Sequence, residues 1–130
     1  MKCSEMLTSK ELAFVRRRQQ PEAQLQRALI DHLRWRAPLD CWWTHIPNGG
    51  ARTAIEGAIL KGLGTRPGAP DLLIVSAGRP IFIECKSLGR KLSAAQVECH
   101  EVLTRAGAVI ATVDNIDDAL AFLRRLGVLR

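Results

Sequence analysis

The chain has 130 residues, 47% of them apolar, which is the size and composition of one globular domain with an ordinary hydrophobic core. Its 19 Lys and Arg residues against 13 Asp and Glu residues give a net charge of +6 at neutral pH, which favours a polyanionic partner. The four cysteines show no paired metal-ligand spacing, and no stretch resembles a signal peptide or membrane span, so we predict an intracellular protein with reduced thiols and no membrane contact.

The first segment is short and basic. Residues 8–11 have capping-box spacing, and the helical stretch that they introduce ends at the arginine-rich residues 15–18. We predict that residues 1–18 form a basic arm or short helix and that residues 19–130 form one domain. The arginines could grip phosphates, or the arm could be solvated and merely raise the charge.

A longer helix is predicted next, with Pro21 at its first position. Leu25, Leu29 and Leu33 form an apolar stripe at helical spacing, and Glu22 lies on the same stripe. A carboxylate there could reach into a site as a metal ligand, or it could simply complement the helix dipole. The residues alone leave both roles open for Glu22.

Three tryptophans surround a predicted strand over residues 41–46: Trp35, Trp42 and Trp43. Tryptophan can stack on nucleic-acid bases, but in a small domain a role in the core or in a dimer contact is favoured.

Two glycine-containing loops, residues 47–52 and 62–68, flank a predicted helix over residues 53–61. Glycine allows the backbone to approach a phosphate closely, and nearby basic side chains could neutralise the phosphate charge. The alternative is that both loops are ordinary turns, since no Walker-type phosphate motif is present. The candidate DNA contacts in this region are Asn48, Arg52, Lys61 and Arg66.

The most informative segment is a predicted hairpin of strands 71–76 and 81–86 around a turn at residues 77–80. If Ser76 pairs with Ile81, then Asp71 pairs with Lys86. Side chains alternate along a strand, so Asp71, Glu84 and Lys86 would project from one face while Cys85 points to the other.

Two carboxylates on one face suit a divalent cation, because Mg²⁺ binds through one or two carboxylates together with water and substrate phosphate. Asp71 and Glu84 are the candidate ligands, the main-chain carbonyl of Cys85 is a third, and Lys86 would orient or deprotonate the attacking water. The alternative is that Glu84 and Lys86 form the solvated face of an ordinary half-polar strand. A zinc site is not expected, and we predict structural roles for His32 and His100.

A basic connection over residues 87–92 contributes Arg90 and Lys91 as further candidate DNA contacts. Ser93 then begins a helix to about Arg105 with capping-box spacing to Gln96. A strand over residues 108–113, reached by a parallel crossover, and a helix over residues 116–126 complete the chain. We therefore predict an α/β fold with a mixed central sheet flanked by helices.

Together, Pro70-Asp71 and Glu84-Cys85-Lys86 resemble the PD-(D/E)xK nuclease superfamily. The chain is most similar to its VRR-NUC family, on residues 68–73, 83–86 and 92–96 and on Glu22. The similarity covers roughly residues 21–122, and it implies a restriction-endonuclease-like core.

The resemblance implies an endonuclease dependent on Mg²⁺ or Mn²⁺, with Glu22, Asp71, Glu84 and the Cys85 carbonyl around the metal. Lys86 and Gln96 would complete the catalytic group. For Gln96 this role competes with the helix cap, and we expect the two roles to require different rotamers.

The resemblance also implies a standalone homodimer that cuts branched DNA such as four-way (Holliday) junctions, in the cytoplasm of a bacterial cell or of a phage-infected host. Two alternatives remain: a nucleic-acid-binding module that kept the fold without turnover, and a less selective nuclease acting on duplex or flap DNA.

Overall fold

A computed structural model describes residues 8–47 and 53–130. In this part of the chain, four helices and four strands follow one another in the order α1 (Ser9–Arg36), β1 (Cys41–His45), α2 (Ala54–Gly62), β2 (Leu72–Ser76), β3 (Arg79–Cys85), α3 (Ala94–Arg105), β4 (Val109–Val113) and α4 (Ile116–Arg125). The predicted α/β class is confirmed.

The four strands form one mixed sheet in the order β1-β2-β3-β4. Strand β2 is antiparallel to both of its neighbours, whereas β4 runs parallel to β3. A parallel connection needs a crossover, which α3 provides between β3 and β4. The predicted mixed sheet and parallel crossover are therefore confirmed.

The hairpin register differs from the predicted one by two residues. Ser76 pairs with Arg79, not with Ile81. The reason lies in the turn, because only Ala77 and Gly78 separate the strands, and both have positive φ, of 50° and 73°. Two-residue turns of this kind match the twist of antiparallel strands, so β3 begins earlier than predicted.

A shift of two residues preserves the side to which each residue points. Leu72 pairs with Ile83, and both side chains are fully buried in the core. Asp71 comes directly before Leu72 and Glu84 directly after Ile83, so these two acids project to the opposite face of the sheet, as does Lys86. The predicted common face is retained although the predicted pairing is wrong.

Helices α1 and α4 cover the core face of the sheet. The predicted leucine stripe of α1 is buried there, with Leu29 and Leu33 fully inaccessible. Among the residues whose burial is described, fifteen apolar side chains form this core: Leu25, Leu29, Leu33, Leu72, Ile74, Ile81, Ile83, Cys85, Val113, Ala119, Leu120, Phe122, Leu123, Val128 and Leu129. Helix α3 lies on the opposite face, next to Glu84.

Helix α1 is longer than predicted. It runs without interruption for 28 residues and contains Pro21 in its interior, so the prediction that Pro21 begins a helix is wrong. Proline cannot donate the backbone hydrogen bond of a helix interior, which disfavours it there. The five residues before it contain no glycine or other proline, and they continue the helix. The division between an arm and a domain at residue 18 stays a prediction.

Several large apolar side chains remain outside the core. Trp43 packs against it, but Trp35 and Trp42 are 87% and 58% exposed, so a core role is confirmed for Trp43 alone. Helix α2 has no buried residue. Among the described residues, no helix combines the length and apolar character that crossing a membrane would require.

Candidate active site

Asp71 stands at the end of the loop that leads into β2. Its carboxylate Oδ2 accepts a hydrogen bond from the backbone N–H of Cys85 at 2.7 Å. Burial raises the pKa of Asp71, the bond from Cys85 opposes this rise, and the negative charge of Glu22 adds to it. Asp71 is therefore attached to the end of β3 and lies within electrostatic reach of a second acid.

Glu84 is the most enclosed acid of the group, with 3% of its surface exposed. Its Oε1 accepts a hydrogen bond from Gln96 Nε2 at 2.6 Å. Burial, followed by the charge of Asp71, raises the pKa of Glu84 to about 8, while Lys86 acts in the opposite direction. A positive charge beside a carboxylate held in this way would stabilise its ionised form.

Lys86 is also buried, with 8% of its surface exposed. Its backbone N–H donates to the carbonyl of Val113 at 2.9 Å, which continues the ladder beyond β3. Its ammonium charge lowers the pKa of both Asp71 and Glu84 and so lies near both carboxylates. The structure thus brings together the three side chains that the hairpin pattern selected.

Gln96 fills both of its predicted roles in one rotamer. Its Oε1 accepts from the backbone N–H of Ser93 at 2.9 Å, which completes a capping box, while its Nε2 donates to Glu84. The expectation that these roles need different rotamers is wrong, because a primary amide has an acceptor at one end and donors at the other. The helix cap thereby aims the donor at Glu84.

Measured on the DNA cleavage that the sequence resemblance implies, substitutions at the two capping residues should separate the helix cap from the contact with Glu84. Ser93→Ala removes the hydroxyl that accepts from the Gln96 N–H at 3.2 Å, and it should cost about 1 kcal/mol of stability with little loss of activity. Gln96→Ala also removes the donor to Glu84, and activity should fall about tenfold or more beyond any loss of stability. Chemical denaturation and DNA cleavage by the two variants would check this, and equal losses of activity would contradict it.

Glu22 reaches the site from α1, but it contacts different partners. Its Oε1 accepts from Ser87 N at 3.1 Å and Ser87 Oγ at 3.3 Å, and it forms an ion pair with Arg90 at 3.2 Å. Its charge still raises the pKa of Asp71 and Glu84. Glu22 therefore ties α1 to the segment after β3 and adds negative charge to the site.

The main-chain carbonyl of Cys85 points toward the β2 side of β3. The N–H of Cys85 points to Asp71, and in an extended strand the N–H and C=O of one residue point to the same side. The thiol is buried in the core on the other face, and burial, followed by the charges of Asp71 and Glu84, raises its pKa to about 12. The carbonyl, and not a thiolate, is the group that Cys85 can offer.

The residues present fit a divalent cation. Within residues 8–47 and 53–130, no group of three or more His, Cys, Asp and Glu side chains is placed to hold a metal by itself. Mg²⁺ needs no such group, because one or two carboxylates suffice when water and substrate phosphate complete its shell. Glu84 Oε2 is buried without a hydrogen-bond partner in the described residues, and a cation would satisfy this oxygen and offset the charge of Asp71.

Two histidines lie beside the site, and neither was proposed from the sequence as a metal ligand or catalytic group. His100 lies one turn after Gln96 on α3, with Nε2 3.7 Å from Glu84 Oε2, so the residue predicted to be structural lies beside a candidate metal ligand. His45 Nδ1 lies 2.9 Å from the carbonyl oxygen of Asp71. The spacing of four residues from Gln96 to His100 was the available signal, because it places both on one side of a helix.

The predicted DNA contacts have different surroundings. Asn48 and Arg52 lie outside the described residues. Lys61, Arg66 and Lys91 are exposed. Arg90 is also exposed but is paired with Glu22, so it is not free in the way the sequence suggested.

No protein-family profile matches the chain, and no curated protein matches it significantly. The structure, however, is similar to a solved structure described as a VRR_NUC domain protein, with a TM-score of 0.65 over 79% of this chain and 84% of that chain. The chain has the fold of a VRR_NUC domain. At 23% sequence identity the likeness concerns the fold, and it confirms the restriction-endonuclease-like core that the motifs predicted.

Proposed function

We propose that this VRR_NUC fold carries a nuclease that hydrolyses DNA phosphodiester bonds with the help of a divalent cation. One observation carries the proposal: Asp71, Glu84 and Lys86 meet at one end of the hairpin, and a buried oxygen of Glu84 lacks a partner among the described residues. This is a donor set for a hard cation beside a buried ammonium group.

Mg²⁺ or Mn²⁺ would be held by Asp71, Glu84 and the Cys85 carbonyl, with Glu22 as the fourth protein group of the site. When bound, the cation would supply positive charge to the phosphate and ease the deprotonation of water. The hydrogen bond from Gln96 would hold the Glu84 carboxylate in one orientation. Lys86 would orient the attacking water and take part in its deprotonation.

The charge of the chain supports DNA as the substrate. The net charge is +6, and Lys61, Arg66 and Lys91 are exposed on segments that lead into or out of the site. Such side chains bind phosphates without reading the sequence. We propose branched DNA, such as a four-way junction, as the preferred substrate, and duplex and flap DNA are the alternatives to be compared with it.

A homodimer is part of the proposal, and α2 is its candidate surface. Ile55, Ile59 and Leu63 are 74%, 58% and 78% exposed, and α2 packs on no other helix or strand of the described chain. An apolar helix face of this kind usually marks a contact surface. Two subunits would provide the two sites that paired cuts in a symmetric junction need.

Ile59→Glu should therefore convert the protein to a folded monomer, because the side chain is exposed in the single chain, and the melting temperature should no longer depend on protein concentration. Light scattering coupled to size-exclusion chromatography would measure the mass. Val97→Glu is the matched control, since Val97 is a partly exposed apolar residue on another helix. A native chain that is already monomeric at micromolar concentration would contradict the dimer.

The nuclease itself is tested by cleavage of labelled four-way junction, flap and linear duplex DNA with Mg²⁺ or Mn²⁺. Asp71→Asn and Lys86→Ala should each reduce cleavage by about a hundredfold or more, whereas Lys91→Ala, at an exposed lysine, should reduce it severalfold at most. If the native chain binds these DNAs but cuts none with either cation, a binding module without turnover becomes the better interpretation.

A further inference from the structure

Two buried polar atoms face each other beside the proposed site. Glu84 Oε2 and His100 Nε2 are 3.7 Å apart, both atoms are inaccessible to solvent, and neither has a hydrogen-bond partner in the described part of the chain. At 3.7 Å the two are too far apart for a direct hydrogen bond. Burying two polar atoms without partners is costly, so a third group between them would stabilise the arrangement.

The surroundings favour a cation as that third group. Asp71 and Glu22 add negative charge around Glu84, and a bridging water would leave the repulsion between these carboxylates in place. The other oxygen of Glu84, Oε1, already accepts from Gln96 at 2.6 Å. Oε2 is thus the oxygen that remains for a metal, and it is the one that faces His100.

We propose that His100 Nε2 is a nitrogen ligand to the divalent cation held by Glu84, and that it makes the site prefer Mn²⁺ to Mg²⁺. This inference rests on the proposed function and adds a ligand to its metal site. Helix α3 would then present two side chains to the metal centre, with Gln96 fixing one oxygen of Glu84 and His100 sharing the cation bound by the other.

The preference follows from the chemistry of the donor. Mg²⁺ is a hard cation that takes oxygen ligands in strict octahedral geometry and gives up its waters reluctantly. Mn²⁺ belongs to the first-row divalent series that N, O and S ligands bind, although at its weak end, whereas Mg²⁺ is bound by carboxylate, carbonyl and water oxygens. Removing the nitrogen should therefore weaken Mn²⁺ binding more than Mg²⁺ binding.

Mn²⁺ itself is the probe for the experiment. Electron spin echo envelope modulation of native protein loaded with Mn²⁺ should show coupling to a directly bound nitrogen. The coupling should change to the ¹⁵N pattern when only histidine carries ¹⁵N, a test that needs no substitution. It should disappear in His100→Gln and persist in His45→Gln and in the control His32→Gln, whose ring contacts Arg36 on α1.

Calorimetric titration provides a second measurement. His100→Gln should weaken Mn²⁺ binding about tenfold and Mg²⁺ binding less than threefold. If native protein binds Mn²⁺ without nitrogen coupling, or if the coupling is lost in His45→Gln instead, the ligand role of His100 is wrong while the nuclease proposal stands. If native protein binds neither cation, even with DNA present, the proposed function itself fails and this inference fails with it.

Discussion

Glu84→Gln is expected to abolish metal-dependent cleavage and, at the same time, to stabilise the metal-free protein. Activity should fall about a hundredfold or more, because the substitution replaces the charged ligand proposed for the cation with a neutral amide. Stability should rise because the native side chain is buried beside Asp71 and has an oxygen without a partner in the described residues. The amide keeps nearly the same shape and carries no charge.

The gain in stability should depend on pH in a defined direction. The pKa of Glu84 is raised from its ordinary value to about 8 in the folded chain, so between about pH 4.5 and 8 the folded state holds a proton that the unfolded state has lost. The native stability attributable to Glu84 is therefore highest below this window and falls as pH rises through it. At pH 7, Glu84→Gln should be more stable than the native protein by roughly 2–3 kcal/mol.

Urea denaturation in the presence of a chelator, at pH 5 and pH 7, would measure this difference. Glu98→Gln is the matched control, because Glu98 lies on α3 in an exposed position and its substitution should change stability by about 0.5 kcal/mol or less. A Glu84→Gln protein that is less stable than native at pH 7 would show that Glu84 contributes to folding through contacts more than it costs through burial of its charge.

Gly68→Ala should destabilise the protein by roughly 3 kcal/mol or more and should also impair cleavage. The φ angle of Gly68 is +76°, and an added Cβ would lie 2.2 Å from the carbonyl oxygen of Ala95 at the start of α3. Positive φ alone costs about 1–2 kcal/mol for a residue with a Cβ. The clash involves backbone atoms, so the loop or the helix would have to shift.

Gly64→Ala separates the cost of backbone strain from the cost of the steric clash. Gly64 has a φ of +98° in the same loop, but a Cβ there would have no atom within 4 Å. Its substitution should cost about 1 kcal/mol and leave cleavage almost unchanged, because only backbone strain is introduced. Thermal unfolding and the cleavage assay on both variants would test this, and equal effects at the two glycines would exclude the close approach of loop and helix.

The position of Gly68 also gives a role to the glycine that begins the segment 68–73, a role that the sequence left undetermined. The loop that contains it leads directly to Asp71, and α3 carries Gln96, the residue that contacts Glu84. The segment before Asp71 is therefore in contact, through Gly68, with the helix that holds Glu84. A side chain at this position would separate them.

Local chemistry determined much of this protein. The apolar strands, the stripe of leucines on α1 and the capping box at Ser93 depend on neighbouring residues, and all three were predicted from the sequence. Strand alternation placed Asp71, Glu84 and Lys86 on one face even though the pairing was wrong by two residues, because side-chain direction repeats every two positions.

The tertiary structure decided which of these groups meet. The crossover through α3 brings Gln96 and His100 next to Glu84, although they lie on a different element. Burial of Glu84 at this contact raises its pKa. Glu22 likewise contacts Ser87 and Arg90 only because α1 lies against the end of β3. Sequence patterns report periodicity and local hydrogen bonding, whereas burial and long-range charge arise only when separate elements pack together.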